Sequence, residues 1–386
     1  MHPSYVRQYN ATRIFHALRA NPGITKRGLT DLTGCDKSTV SAILRAFEDI
    51  GFVESDAAQE TGKRGRPSAN YRLSADNGLL IGVHLEFEQM AIVAASIDGT
   101  PIRKWSQPLP TDPAALATDL RHAIGALCHE ISRSQDEIRA IGITLPGLVE
   151  SSGGLAHAPS LDWYETDIGN LLRDQIDAPV YIDNDTNAAA MAEYLFGQCG
   201  QLTDFVMIDG GLGLGGGIFL DGRPYRGASG FGGELGHIKV VPDGRICGCG
   251  AQGCLSAYIA APALLAAAQR SLRVRNVEEL IRAAKDGAPP ILDLFEDSGR
   301  HLGRALSDIV NIFNPSAIVL GGIVGRIWPY AEITARKELA KLAMRAPLQN
   351  TQILVSDISA AETPVGAVAL ALEGFTSLDG QKPGPW

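Results

Sequence analysis

Three cysteines fall within eight residues, "CGCGAQGC" at 247–254, and His237 precedes the first of them by ten positions. No other stretch restricts the fold as much, because three sulfurs and an imidazole converge only where the backbone doubles back tightly. Gly248, Gly250 and Gly253 permit such a path. One imidazole with three thiols is a soft donor set suited to tetrahedral zinc, so His237, Cys247, Cys249 and Cys254 are expected to hold one ion. The alternative is a disulfide with a thiol left over. It is disfavoured in a large chain whose start, "MHPSYVRQYNATRIFHALRANPG", is amphipathic rather than leader-like. With no apolar run of bilayer length, the expectation is a cytoplasmic protein without a membrane partner.

At 386 residues, 45% hydrophobic and 20% charged, the chain has the composition of a soluble globular protein of two or three domains. Its charge is uneven. Overall 34 Lys and Arg face 43 Asp and Glu, yet residues 1–74 hold eleven of the former against seven of the latter. A basic first segment on an acidic chain points to a polyanionic partner for that segment alone.

Local signals in the first segment predict a helix over roughly Tyr5–Arg19, a second from near Thr25 to Gly34, and a third capped by Asp36 that runs to Ile50. In the third, Val40, Ile43, Leu44 and Phe47 form one apolar stripe. Ser38, Ser41, Ala42 and Arg45 fall opposite it, with Lys37 at the helix start. Two helices joined by a tight glycine turn, the second with a small-polar and basic face, are how a recognition helix enters a major groove. "GFVESD" and "NYRLS" then read as strands flanking "TGKRGRPSA", a β-wing whose Lys63, Arg64 and Arg66 suit phosphates and the minor groove. The predicted DNA contacts are Lys37, Ser38, Thr39, Ser41, Arg45, Lys63, Arg64 and Arg66. A small helical bundle with a solvated basic loop is the plainer alternative.

From Leu79 onward strands and helices alternate and Gly and Ala become frequent, the pattern of an α/β architecture with its sites at strand ends. Four segments then occur in a telling order: "PVYIDNDTNAAAMAEYLFG", "GGLGLGGGIFLDGRPYRGASGFGGELGHIKV", "GHIKVVPDGRICGCGAQGC" and "NPSAIVLGG". In content and order they resemble the ROK family of sugar kinases and repressors, across essentially the whole chain. The resemblance implies an N-terminal winged helix-turn-helix, mostly α with a β-wing, followed by a two-lobed actin/hexokinase-like α/β domain. It divides the chain into a head at 1–75, a first lobe at 76–183 with helix 364–375 packed back on it, and a second lobe at 184–363 carrying zinc loop 237–254. The zinc it implies is structural. The sugar contacts it implies are Pro146 and Gly147 of "LPGL", Asn184, Asp185, Glu234 and His237, whose two ring nitrogens would serve metal and ligand. Helix capping is the other reading of Asp185, just before "TNAAAMAEYLF".

The sequence departs from the sugar-binding pattern at Ser256, where family members carry Glu, and at Ser160, where they often carry Asn. It departs from the kinases more sharply. Where their first phosphate loop reads Asp-x-Gly-Gly-Thr, this chain reads His84, Leu85, Glu86, Phe87, Glu88, which places two carboxylates where phosphate belongs. Leu212 replaces a threonine of the second phosphate loop. The glycine run around Leu212 equally suits a hairpin with close backbone packing. The expectation is therefore a regulator with no catalytic residue, a repressor that binds operator DNA as a homodimer or homotetramer and answers to a sugar. The alternatives are an active sugar kinase with an appended DNA-binding domain, or a DNA-binding protein that senses nothing.

Overall fold

The computed structural model describes residues 3–56, 69–150, 155–211, 213–358 and 364–377. The head consists of α1 (Pro3–Ala20), β1 (Ile24–Thr25), α2 (Lys26–Thr33), α3 (Lys37–Asp49), β2 (Val53–Asp56) and β3 (Asn70–Leu73). Its strands form an antiparallel sheet in the order β1-β3-β2. Local chemistry sets these boundaries. The Thr25 side chain caps α2 by accepting from the Gly28 amide, Gly34 closes it at φ 66°, and Asp36 caps α3 through the Thr39 amide. Val40, Ile43, Leu44 and Phe47 are buried, as the apolar stripe requires. Arg72 on β3 is held by Glu54 and Asp56 on β2, so this strand's cation is neutralised locally. Lys63, Arg64 and Arg66 lie outside the described residues.

Two lobes follow. The first contains β4 (Leu79–Glu86), β5 (Gln89–Ser96), β6 (Pro101–Pro108), α4 (Leu116–Glu130) and β7 (Ile138–Leu145). It continues with a small sheet of β8 (Leu148–Val149), β9 (Leu155–Ala158) and β10 (Trp163–Asp167), then α5 (Ile168–Arg173), β11 (Val180–Asn184) and α6 (Asp185–Leu195). The second contains β12 (Phe205–Gly210), β13 (Leu214–Leu220), β14 (Arg223–Pro224), α7 (Ser256–Ile259), α8 (Ala261–Ala268), α9 (Val277–Lys285) and α10 (Pro289–Phe313). After these come β15 (Ala317–Leu320), α11 (Gly322–Leu342), α12 (Arg345–Asn350), β16 (Gln352–Val355) and α13 (Val365–Thr376). The main sheets run β6-β5-β4-β7-β11 and β14-β13-β12-β15-β16. Each is an antiparallel run of three strands extended by two parallel ones, so one topology occurs twice.

The helix that ends each lobe packs on the other. α6 leaves the first lobe's edge strand and lies on β12 and β13, α13 leaves the second lobe's edge strand and lies on β4, β7 and β11, and the two helices pack together. Glycines make this possible. A Cβ on Gly142 of β7 would stand 2.1 Å from the Ala367 oxygen and 2.7 Å from the Ala371 nitrogen; one on Gly217 of β13 would stand 2.8 Å from the Thr186 oxygen. Gly142→Ala should therefore unseat α13 and cost about 3 kcal/mol, read as a lower midpoint of chemical denaturation.

α13 also joins the head to the lobes. Phe375 lies edge-on to Phe15 at 6.1 Å and to Phe52 at 5.9 Å between ring centroids. The Thr12 hydroxyl donates to the Thr376 carbonyl at 2.9 Å, and the Asn77 amide donates to the Ile50 carbonyl at 2.6 Å. One apolar core runs from Phe15 and Phe47 through Phe375 to Leu80 and Val93 of the first lobe.

Candidate ligand cleft and metal centre

A cleft of 2100 Å³ opens between the lobes. Pro146, Gly147, Asn184, Asp185, Glu234 and His237, which the resemblance assigns to a sugar, all line it, as do Ser160 and Ser256. The structure brings Pro146 and His237, 91 positions apart, to one cleft because β7, β11 and the segment after β14 all end there.

Asn184, not Asp185, is the cap of α6. Its side-chain oxygen accepts from the amides of Thr186 at 2.8 Å and Asn187 at 3.3 Å, while its side-chain nitrogen donates to the Gly147 carbonyl at 2.9 Å. One amide thus ties the helix start to the "LPGL" turn. That turn needs glycine: Gly147 has φ 138°, and a Cβ there would lie 2.5 Å from the His157 oxygen. Asp185 is the first helical residue and is left facing the cleft. Burial, reinforced by the charge of Asp209, pushes its carboxyl up to about 7. Asp209, at the end of β12, also lines the cleft, and burial pushes it up to about 6. Sequence reading passed over Asp209. Its one signal was an acid directly before a glycine run.

Where the resemblance implies a phosphate loop, His84 and Glu86 line the cleft. The His84 ring sits 3.0 Å from the Thr144 hydroxyl, and burial lowers its pKa, so it is neutral near pH 7. The expectation of two carboxylates there needs correction. Glu86 shares the His84 face of β4 by the two-residue period, whereas Glu88 occupies the β4–β5 turn at φ 60° and is not among the cleft-lining residues. Leu212 lies outside the described residues. The glycines beside it divide by role: Gly215 and Gly217 admit α6, while a Cβ on Gly211 or Gly213 would meet nothing within 4 Å.

Ser256 does not reach for a ligand with its proton; its hydroxyl donates to the Gly236 carbonyl at 2.9 Å. Glu234 stands 3.6 Å from His237 Nε2, on the cleft side of the ring. The other ring nitrogen, Nδ1, lies 3.7 Å from Cys247 Sγ. Cys249 and Cys254 sulfurs are 3.8 Å apart, and all four donor atoms lie within 4.8 Å of one another. A tetrahedron with metal–sulfur bonds of about 2.3 Å has edges of about 3.8 Å, so the donor set fits a metal ion. Disulfide-bonded sulfurs would be about 2.05 Å apart. The Lys239 ammonium, 2.7 Å from Cys254 Sγ, supplies positive charge beside the thiolates. Gly253, at φ 77°, gives the loop its fold, since a Cβ there would lie 1.9 Å from the Val241 oxygen.

On the head, Lys37, Ser38, Ala42 and Arg45 are exposed along α3, and Thr39 and Ser41 are half-buried. The hydroxyls of Ser38 and Thr39 both donate to the Asp36 carboxylate, which their hydrogen bonds hold well below the usual carboxylate range. Their protons serve the cap. Among the described residues no helix is long and apolar enough to cross a membrane.

A winged head, two actin/hexokinase-like lobes, a cleft at their hinge and a soft-donor cluster at its rim define a class of protein. The chain belongs to the ROK family, whose family model matches residues 86–374. It is 26% identical to a xylose repressor of Caldicellulosiruptor bescii over 389 aligned residues, covering 96% of this chain and 97% of that one. A crystal structure of a ROK family transcriptional regulator, a homologue of the E. coli Mlc protein, superposes with TM-score 0.82 at 26% identity over 96% of both chains. A glucokinase of Streptomyces coelicolor is 33% identical but matches only 64% of this chain and 82% of its own length.

Proposed function

We propose that this protein is a sugar-responsive transcriptional repressor that acts in the cytoplasm and catalyses nothing. The observation that carries the reading is the asymmetry of the cleft. Asn184, Asp185, Glu234 and His237 offer the mixed donors and acceptors that vicinal hydroxyls require. On the other side, the Glu86 carboxylate lies where a transferred phosphate would sit. At about 4 Å and an effective dielectric of about 20, each such pair of charges repels by about 4 kcal/mol. The end-to-end match to repressors, head included, supports the same reading.

The units are a head at 1–75, a first lobe at 76–183 joined by helix 364–375, and a second lobe at 184–363, a division that counts α6 with the lobe it packs on. Zinc on His237, Cys247, Cys249 and Cys254 is structural: four protein ligands leave no open position for a reactive water. A homodimer or homotetramer places two α3 helices in successive major grooves of a pseudo-palindromic operator. Closure of the lobes on a sugar shifts α13, and Phe375 carries the shift into the head. This coupling amounts to roughly 1–3 kcal/mol, or about 5- to 150-fold in operator affinity.

Operator binding by the full chain, titrated with a panel of sugars, tests the proposal; affinity indifferent to every sugar would count against it. Arg45→Ala, and equally Arg66→Ala, should weaken operator binding and lower the slope of log affinity against log salt by about 0.9 per lost phosphate contact. One observation favours a kinase as the second reading: Asp185, pushed up to about 7, has the property a general base needs. A coupled ADP-release assay with the same panel decides the matter, and no turnover is expected.

A further inference from the structure

Asp183 and Arg226 belong to different lobes and meet beneath the cleft. Asp183 is the penultimate residue of β11, opposite Thr144 in the first lobe's sheet, and only 5% of its side chain is exposed. Arg226 follows β14 in the second lobe, and its Nε donates to Asp183 Oδ2 at 2.7 Å. The other carboxylate oxygen accepts from the Asn184 amide at 2.8 Å and from the Asn187 side chain at 3.0 Å. Both halves of this ion pair lead directly to ligand-facing groups. On one side, Asn184 and Asp185 follow in sequence. On the other, the Arg226 carbonyl accepts from the Gly232 amide at 2.8 Å and closes the loop. Gly233, at φ 100°, then packs so tightly that a Cβ would lie 2.1 Å from the Gly216 oxygen, and Glu234 emerges into the cleft.

We propose that Arg226 is a positioning residue for the effector: its ion pair with Asp183 latches the Glu234–His237 segment of the second lobe to the Asn184–Asp185 corner, where the first lobe's edge strand β11 runs into α6. The proposal rests on the sensor reading above for what the latch serves, but not for its existence. Four ligand-facing groups from two lobes must hold one geometry, and an ion pair with a nearly buried carboxylate fixes it where water cannot compete freely.

Two measurements on the full, metal-replete chain test this. Hydrogen exchange of the ligand-free protein compares wild type with Arg226→Gln and Asp183→Asn. Exchange across residues 227–237 should rise at least about tenfold in both, with β12 and β13 at wild-type protection. Unchanged exchange in that segment overturns the latch. Calorimetry with D-glucose, D-xylose and N-acetyl-D-glucosamine then reads its purpose. For any sugar the wild type binds, each variant should weaken Kd at least about tenfold, and the double variant no further than either single one. Wild-type affinity, or losses that add, overturns the positioning role. If the wild type binds none of the three, the sensor reading fails and the exchange result alone decides the latch. Should Arg226→Gln not fold, Asp183→Asn, which keeps acceptors for Asn184 and Asn187, carries both measurements.

Discussion

Asp185→Asn should stabilise the ligand-free protein above neutral pH while removing its grip on sugar. The sign follows from the direction of the pKa shift. Burial and Asp209 raise the Asp185 carboxyl from 3.8 to about 7 in the folded chain, so the folded state holds this proton more tightly than the unfolded state does. Stability linked to the group is complete below about pH 4 and is lost as pH climbs toward 7. The rise from 3.8 to about 7 corresponds to about 4 kcal/mol, and solvent in the cleft reduces this to about half. Asn occupies the same volume without the charge. Its melting temperature should match wild type near pH 4.5 and exceed it by roughly 5 °C at pH 8. Loss of a charged acceptor for a ligand hydroxyl should at the same time weaken sugar binding at least about tenfold. A melting curve for the variant that tracks wild type at every pH would remove the premise that Asp185 is held against its preference.

The second large effect is expected at the metal centre. Cys254→Ser takes away the most buried of the three sulfurs and leaves the Lys239 ammonium facing a hydroxyl. Metal content should fall from about one zinc per chain to near zero, since metal and fold are coupled through these ligands. The lobes should melt roughly 5–10 °C lower. Sugar binding should suffer further, because without the ion nothing fixes the His237 ring that stands beside Glu234. The head is a separate set of caps and helices joined at α13, so sugar-free operator binding should persist while the response to sugar disappears. Wild-type sugar affinity in a zinc-free variant would contradict the role given to the centre.

Some of this was plain in the residues themselves. The caps Thr25 and Asp36, the Gly34 turn, the stripe from Val40 to Phe47 and the spacing of His237, Cys247, Cys249 and Cys254 depend on near neighbours, and each stands where its local chemistry placed it. The misplaced details had a different origin. Helix capping, the other reading of Asp185, falls instead to Asn184, whose side-chain nitrogen is also held by the Gly147 carbonyl 37 positions away. Glu88 left the cleft because the hairpin turns one residue before it. Asp209 had one weak local mark, an acid before a glycine run, and its carboxyl became a site group only when β12 ended opposite α6.

Side-chain period, capping and donor spacing act over a few residues, and so the sequence by itself determined the winged head, the α/β character of the rest and the spacing of the His and Cys residues that could bind a metal. The resemblance already implied that helix 364–375 packs back on the first lobe; tertiary structure alone decided that α6 packs in turn on the second lobe, that Phe375 fuses the head to the lobes, and that Asp183 meets Arg226 beneath the cleft. Those contacts join residues 43 to 360 positions apart. Packing at glycines such as Gly142 and Gly217, where no Cβ stands between backbone and helix, admits α13 and α6 to the sheets they cover, which a reading of near neighbours cannot show.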